Sequence, residues 1–300
     1  MSVSTVKFTL AGQTYNLTYD STNSCWKATL TAPAASSYNA ESDHKYHGIV
    51  VATDDAGNTT TATVADFSAL GVRVLEKTKP TITLTYPTSG AYITSASPTI
   101  RWTVTDAGSG INSSTISIKI DSGSTITSGI EKTAVTNGYS CAYTPSSPLG
   151  EGSHTIKFNV SDNDGNAANE KTSSFIVDTV PPTLTVLTPE DQSITNVSTC
   201  TVSGVTNDST SSPVSISVTV NGGMPSTPTV GQDGSWSTDV TLTSGSNTIT
   251  IVATDTAGKT TTITRSVTLD TGAPVFTNVT ITPNPVDAGQ TYVITVTVTD

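Results

Sequence analysis

The sequence predicts an all-β protein made of tandem antiparallel β-sandwiches joined by proline-containing linkers. Three observations carry this expectation. Apolar residues alternate with Thr and Ser at period two along most of the chain, the pattern of strands with one buried face. A hairpin phrase, Asp-x-x-Gly followed by a polar residue, recurs three times. A proline-bearing junction follows each copy, at intervals of roughly 100 residues, the length of one sandwich domain. No segment has convincing helical periodicity.

The elements follow in order. In residues 1–77, Val6, Phe8 and Leu10 share one strand face, and Tyr15, Leu17 and Tyr19 share another. A turn at Ala11-Gly12-Gln13 joins the two strands. The first hairpin phrase is Asp54-Asp55-Ala56-Gly57-Asn58, behind Val50-Val51-Ala52-Thr53. The Asp bonds backbone N–H groups ahead of it, and the Gly supplies the positive φ of a bulged turn. The junction Lys77-Thr78-Lys79-Pro80 closes this domain. Proline fixes φ and lacks a donor, so it starts an edge strand and stiffens a linker.

Residues 78–178 form the second predicted domain. Ile82, Leu84 and Tyr86 alternate, then Trp102 and Val104, then Ile116, Ile118 and Ile120, then Ile156, Phe158 and Val160. Its hairpin phrase is Asp162-Asn163-Asp164-Gly165-Asn166, and its junction is Asp178-Thr179-Val180-Pro181-Pro182. Residues 179–270 repeat the plan with Leu184 and Val186, then Ile216, Val218 and Val220, then Ile249 and Ile251. The hairpin is Asp255-Thr256-Ala257-Gly258-Lys259, and the junction is Asp270-Thr271-Gly272-Ala273-Pro274. The remaining 271–300 hold two strands, an incomplete domain. A lone hairpin is marginal in water, so it packs on the preceding domain, frays, or is completed by a partner strand. Its end, Val298-Thr299-Asp300, resembles Val104-Thr105-Asp106.

Composition narrows the function classes. Of 300 residues, 34% are hydrophobic and only 12% charged, and 13 Lys+Arg against 24 Asp+Glu leave a net charge of -11. About 60 residues are Thr and about 40 are Ser. Thr is β-branched and suits a pleated strand while its hydroxyl stays solvated. The acidic balance offers no basic stripe for phosphates, so nucleic acid is not an expected partner. No apolar run is long enough for a membrane helix, so no membrane insertion is expected. Regular apolar patterning at low charge argues against disorder.

Cys25, Cys141 and Cys200 fall one to each predicted domain, which leaves no intradomain disulfide. They are expected as small buried or half-buried strand residues. The N-terminus reads as a strand rather than a signal peptide. Folding in a reducing cytoplasm is therefore expected.

The run Gly234-Ser235-Trp236-Ser237-Thr238-Asp239-Val240-Thr241-Leu242, then Gly245 to Ile251, then Ala253-Thr254-Asp255 and Gly258, resembles the late strands and hairpin of bacterial immunoglobulin-like domains. Gly152-Ser153-His154-Thr155-Ile156, Val160, Asp162 and Gly165-Asn166 carry the same resemblance in the second domain. In the first it rests on Trp26 and the 54–58 hairpin, with an insertion over 34–47. The resemblance implies the fold and says little of function. The N-terminal stretch 6–19 and the C-terminal stretch 283–292 also resemble Ig-like phage and prophage tail proteins of Gram-positive bacteria. That resemblance implies a virion protein, folded in the host cytoplasm and acting outside cells.

Candidate chemistry is sparse. Asp162-Asn163-Asp164-Gly165-Asn166 looks superficially like the start of a calcium loop, but Gly stands at the fourth position and Ser173 at the twelfth, against the EF-hand pattern. Hairpin chemistry explains it, and a calcium held by Asp162 and Asp164 and shared with the linker residue Asp178 is the alternative. His44 and His47 lie in a polar insertion and read as surface residues, not zinc ligands. His154 opens a strand and is expected to be solvated. No Gly-x-Ser-x-Gly elbow, phosphate loop or paired catalytic carboxylates stand out, so no enzyme is expected. A Lys7–Asn58 isopeptide is the remaining covalent candidate. Trp26, Trp102 and Trp236 are expected to pack in or beside the cores.

The expected function is a structural tail or virion component, a spacer or decoration of Ig-like modules. Its expected partners are other virion proteins, further copies of itself and host surface glycans. The alternatives are a cell-surface adhesin or stalk, and the carbohydrate-binding accessory region of a secreted hydrolase.

Overall fold

The computed structural model describes residues 2–300. The chain divides into two compact units, Met1–Val177 and Asp178–Asp300. Among the described residues the one helical element is a 3-10 turn, Ser68–Leu70.

The first unit opens with an antiparallel sheet in which Val3–Leu10 and Ile49–Asp54 are central, flanked by Gln13–Asn16 and Thr59–Ala62. Ala11 and Gly12 have positive φ of 49° and 79°, which makes the tight turn between the first two strands. Thr18–Asp20 pairs with Cys25–Lys27, and Tyr46–His47 with Gly71–Val72. Residues 1–77 therefore contain one four-stranded sheet and two short ribbons. Their buried apolar residues, among those described, are Val6, Leu10 and Val74. The polar insertion between the strands offers little apolar surface to cover the sheet.

The rest of the first unit is a two-layer sandwich. One sheet runs Glu131–Val135, Gly138–Tyr143, Ile100–Thr105, Thr81–Tyr86 in spatial order; the other runs Tyr92–Ile93, Lys171–Val177, Gly152–Asn159, Ser117–Ile120. Alternation places Ile100, Trp102 and Val104 inward from one layer, against Ile118, Ile156, Phe158, Phe175 and Val177 of the other, all at 0–1% exposure. Trp102 and Phe158 meet with ring centroids 5.0 Å apart at 46°. Each such large apolar side chain contributes about 1.5–3 kcal/mol by leaving water.

The second unit repeats the plan. Thr183–Thr188, Thr199–Asn207 and Ser235–Thr241 form one sheet; Ser193–Thr195, Thr260–Leu269, Gly245–Thr254 and Ser215–Val220 form the other. Val202, Val218, Trp236, Ile249 and Ile251 lie at its centre. Val275–Thr282 and Val293–Thr299 form a separate hairpin whose residues are all exposed. Its apolar side chains Val275, Phe276, Val279 and Ile281 are 60%, 71%, 57% and 42% exposed.

The sandwiches are not purely antiparallel. Tyr92–Ile93 pairs in parallel with Ile176–Val177, and Ser193–Thr195 with Val267–Leu269. In each case the first strand ends at a proline, Pro87 or Pro189, and the chain continues on the other sheet. Proline cannot extend the ladder, and the strand then runs alongside the last strand of its domain.

Candidate functional site

The three hairpin turns have the chemistry their sequences require. Asp54 Oδ1 accepts the N–H groups of Ala56 and Asn58, both at 2.9 Å. Asp162 Oδ1 accepts those of Asp164 and Asn166 at 2.9 and 2.8 Å, and Asp255 Oδ1 accepts that of Lys259 at 2.8 Å. Gly57, Gly165 and Gly258 close the turns at φ of 88°, 92° and 86°.

Two of these turns stand inside acidic clusters. In the first unit, Glu76 from the linker, Asp106 after the Ile100–Thr105 strand and Asp162 from the hairpin each offer a ligand oxygen within 4.8 Å of the others. In the second, Asp178, Asp208 and Asp255 do the same from the same three places. Two like charges 4 Å apart near a protein surface repel by about 4 kcal/mol, so such clusters need donors or a cation around them.

The first cluster is closed by protein donors. Asp106 Oδ1 accepts the N–H groups of Gly108 and Gly110 at 3.0 and 2.9 Å. Asp162 Oδ2 accepts the Asn166 amide at 2.7 Å. Glu76 takes the N–H of Ser109. Burial pushes the Asp106 carboxyl above the ordinary range, reinforced by the Glu76 and Asp162 charges and opposed by the two glycine N–H groups.

The second cluster is built differently. Asp208 Oδ1 accepts the N–H groups of Thr210 and Ser211, both at 2.7 Å. Asp178 Oδ1 accepts that of Val180 at 3.2 Å. The loop and the hairpin are tied by Thr256 N–H on the Ser211 carbonyl at 3.1 Å. Asp178, Asp208 and Asp255 are only 0%, 8% and 5% exposed, and Oδ2 of both Asp178 and Asp255 is buried with no hydrogen-bond partner.

Of the three residues singled out for calcium in the sequence, Asp162 falls in the first cluster and Asp178 in the second, each with partners from its own unit. Asp164 joins neither. Its fully buried carboxylate pairs with Arg73 and accepts the Ser36 hydroxyl at 2.6 Å and the Glu76 N–H at 3.0 Å. It thereby anchors the N-terminal segment to the sandwich within the first unit. Burial works against its charge, but the Ser36, Glu76 and Arg73 contacts together hold the carboxyl below the ordinary range. Asp106, Asp208, Glu76 and Asp255 were not among the expected ligands. For all but Asp255, which stands in a hairpin phrase, the signal is an interval: Glu76 to Asp106, Asp178 to Asp208 and Asp270 to Asp300 are equally spaced.

The other candidates resolve into structure. His44 stacks on Tyr38 with centroids 4.0 Å apart, and His47 bonds Asp43 at 3.0 Å. His154 is buried, not solvated: its ring bridges Asp121 at 2.8 Å and the Gly150 carbonyl at 2.9 Å. Asn58 gives its amide to Asp54 at 2.9 Å, and Lys7 is exposed. Cys141 is buried, and burial raises its thiol to about 11, whereas Cys25 is exposed. Trp102 and Trp236 are core residues, and Trp26 is half-buried against Tyr19.

These layers, their topology and their repeated junctions define tandem immunoglobulin-like β-sandwich domains. Residues 80–157 match the family model described as a bacterial Ig domain, and residues 182–271 match that of glucodextranase, domain B. No curated protein matches the sequence. Among solved structures, the chain is similar to the fibronectin(III)-like modules of Clostridium thermocellum CbhA, at 16% identity over 63% of this chain and 94% of that one, with a TM-score of 0.37. It is similar to Sidekick-1 immunoglobulin domains 1–5 at 14% identity, over 93% and 56%, TM-score 0.39. It is similar to titin domains A168–A170 at 11% identity, over 76% and 73%, TM-score 0.40. Similarity at this level carries no information on function.

Proposed function

We propose that the chain is a structural, non-enzymatic component of a phage or prophage tail. It acts in the virion as a spacer or decoration, in several copies beside other tail proteins, and aids attachment to host surface glycans. The observation that supports this reading is how the side chains are used. Both sandwiches turn their apolar residues into closed cores and present faces rich in Thr and Ser outside. The match of residues 80–157 to a bacterial Ig domain is consistent with a module repeated for reach rather than for chemistry. Mass spectrometry of purified particles from an induced lysogen carrying the gene tests it. The protein is expected among the virion components, and particles that lack it while the lysate contains it would overturn the assignment.

A second reading is favoured by the match of residues 182–271 to glucodextranase, domain B. It makes the chain a carbohydrate-binding accessory region of a secreted hydrolase. Retardation of the purified chain by dextran in affinity electrophoresis would support that reading over the first.

A further inference from the structure

We propose that Asp178, Asp208 and Asp255 form a binding site for one Ca²⁺ ion. Each contributes a ligand oxygen within 4.8 Å of the other two. Calcium binds oxygen at roughly 2.3–2.6 Å, so three oxygens this close share a single ion. All three side chains are more than nine-tenths buried, and Oδ2 of both Asp178 and Asp255 has no hydrogen-bond partner. A buried carboxylate oxygen without donor or cation is a costly arrangement that native structures seldom leave unanswered. Among the described residues, no Lys, Arg or His forms an ion pair with any of the three.

Comparison of the three hairpins shows why this cluster differs. In the first two, the residue after the turn glycine is Asn58 or Asn166, whose amide occupies Oδ2 of its Asp at 2.9 or 2.7 Å. In the third hairpin that position is Lys259, which gives Asp255 its backbone N–H alone. The internal donor is missing, and the oxygen it would cap remains free. The Glu76, Asp106 and Asp162 cluster, by contrast, has no buried unpartnered oxygen and is not assigned an ion.

An all-carboxylate site without His or Cys is chemistry for a hard cation. The bound ion would join the linker residue Asp178, the loop that begins at Asp208 and the 255–258 hairpin, three segments distant in sequence. The start of the second unit would then be stiffened in calcium and loosened without it.

Isothermal titration of the full chain, stripped with chelator, with CaCl₂ tests the site, alongside thermal unfolding in calcium or in EDTA. One Ca²⁺ per chain is expected, with Tm raised by roughly 10 °C at calcium a hundredfold above Kd. Asp208→Asn is expected to weaken binding at least tenfold, and Asp162→Asn to leave it unchanged. Lys259→Asn, which lies outside the ligand set and restores the amide cap, is expected to weaken binding about tenfold and serves if Asp208→Asn does not fold. Absence of heat and of a Tm shift in the parent chain would overturn the proposal. So would undiminished binding in a folded Asp208→Asn or in Lys259→Asn, or a shift produced by MgCl₂ and not by CaCl₂.

Discussion

Asp164 shows how a residue's role depends on its surroundings more than on its motif. It stands one place before the turn glycine of a hairpin phrase, yet its carboxylate is fully buried on Arg73, Ser36 and the Glu76 N–H. Its folded pKa lies below the ordinary carboxylate value of 3.8. Its contribution to stability is therefore complete above that value and is lost as pH falls through the folded pKa. Replacing Asp164 with Asn is expected to cost about 2 kcal/mol at pH 7, the worth of hydrogen bonds to a charged group. The deficit relative to the parent chain shrinks toward pH 3. Urea unfolding at the two pH values measures both numbers, and an equal deficit at both would refute the electrostatic account. Asp162 and Asp178 were legible as candidate ligands because they stand in repeated phrases. Asp106 and Asp208 were not, since a single Asp after a strand looks like any turn residue.

Hairpins and sheets are where local sequence and tertiary packing can be told apart. A Cβ added at Gly165 or Gly258 meets nothing within 4 Å, although both have strongly positive φ. Gly165→Ala therefore isolates backbone strain and is expected to cost about 1–2 kcal/mol. Gly204 is the opposite case: its φ is unexceptional, but a Cβ there would overlap the Thr185 carbonyl and the Trp236 ring. Gly204→Ala is expected to cost more than Gly165→Ala, through overpacking; a reversed order in chemical denaturation would contradict this reading. The physical reason lies in an exchange between the repeats. Trp102 sits opposite Cys141, and at the equivalent register Gly204 sits opposite Trp236. One large and one small residue fill the site in both domains, on opposite strands. The sequence showed a Trp in each core region and could not show that the two arrive from different strands.

Across the whole chain, most of the buried apolar residues form two clusters with no residue in common, one in each unit, and Val6, Leu10 and Val74 lie outside both. Trp102 and Trp236 are the largest side chains of their respective cores, at 1% and 3% exposure. Trp102→Ala is expected to lower the unfolding transition of the first unit, and Trp236→Ala that of the second, each by about 3–5 kcal/mol. Calorimetry of the intact chain resolves this, and a single transition shifted equally by both changes would show that the units unfold as one. The C-terminal hairpin belongs to the same repeating plan. Its register Val275↔Thr299 and Phe276↔Val298 copies Thr81↔Thr105 and Ile82↔Val104. In residues 78–178 a second sheet covers the corresponding strands, whereas residues 271–300 are exposed throughout.

By itself the amino-acid sequence determined the strand periodicity, the three hairpins with their Asp and Gly chemistry, and the proline junctions that mark the repeats. Each of these depends on residues a few places apart, where steric and hydrogen-bonding rules act directly. Tertiary structure alone decided the rest. It set the parallel pairing of Ser193–Thr195 with Val267–Leu269, the burial of His154 and the capture of Asp164 by Arg73. It also brought Asp178, Asp208 and Asp255 together around two oxygens that no protein donor satisfies. Such contacts join residues far apart along the chain, and their existence depends on which surfaces meet when the sheets pack.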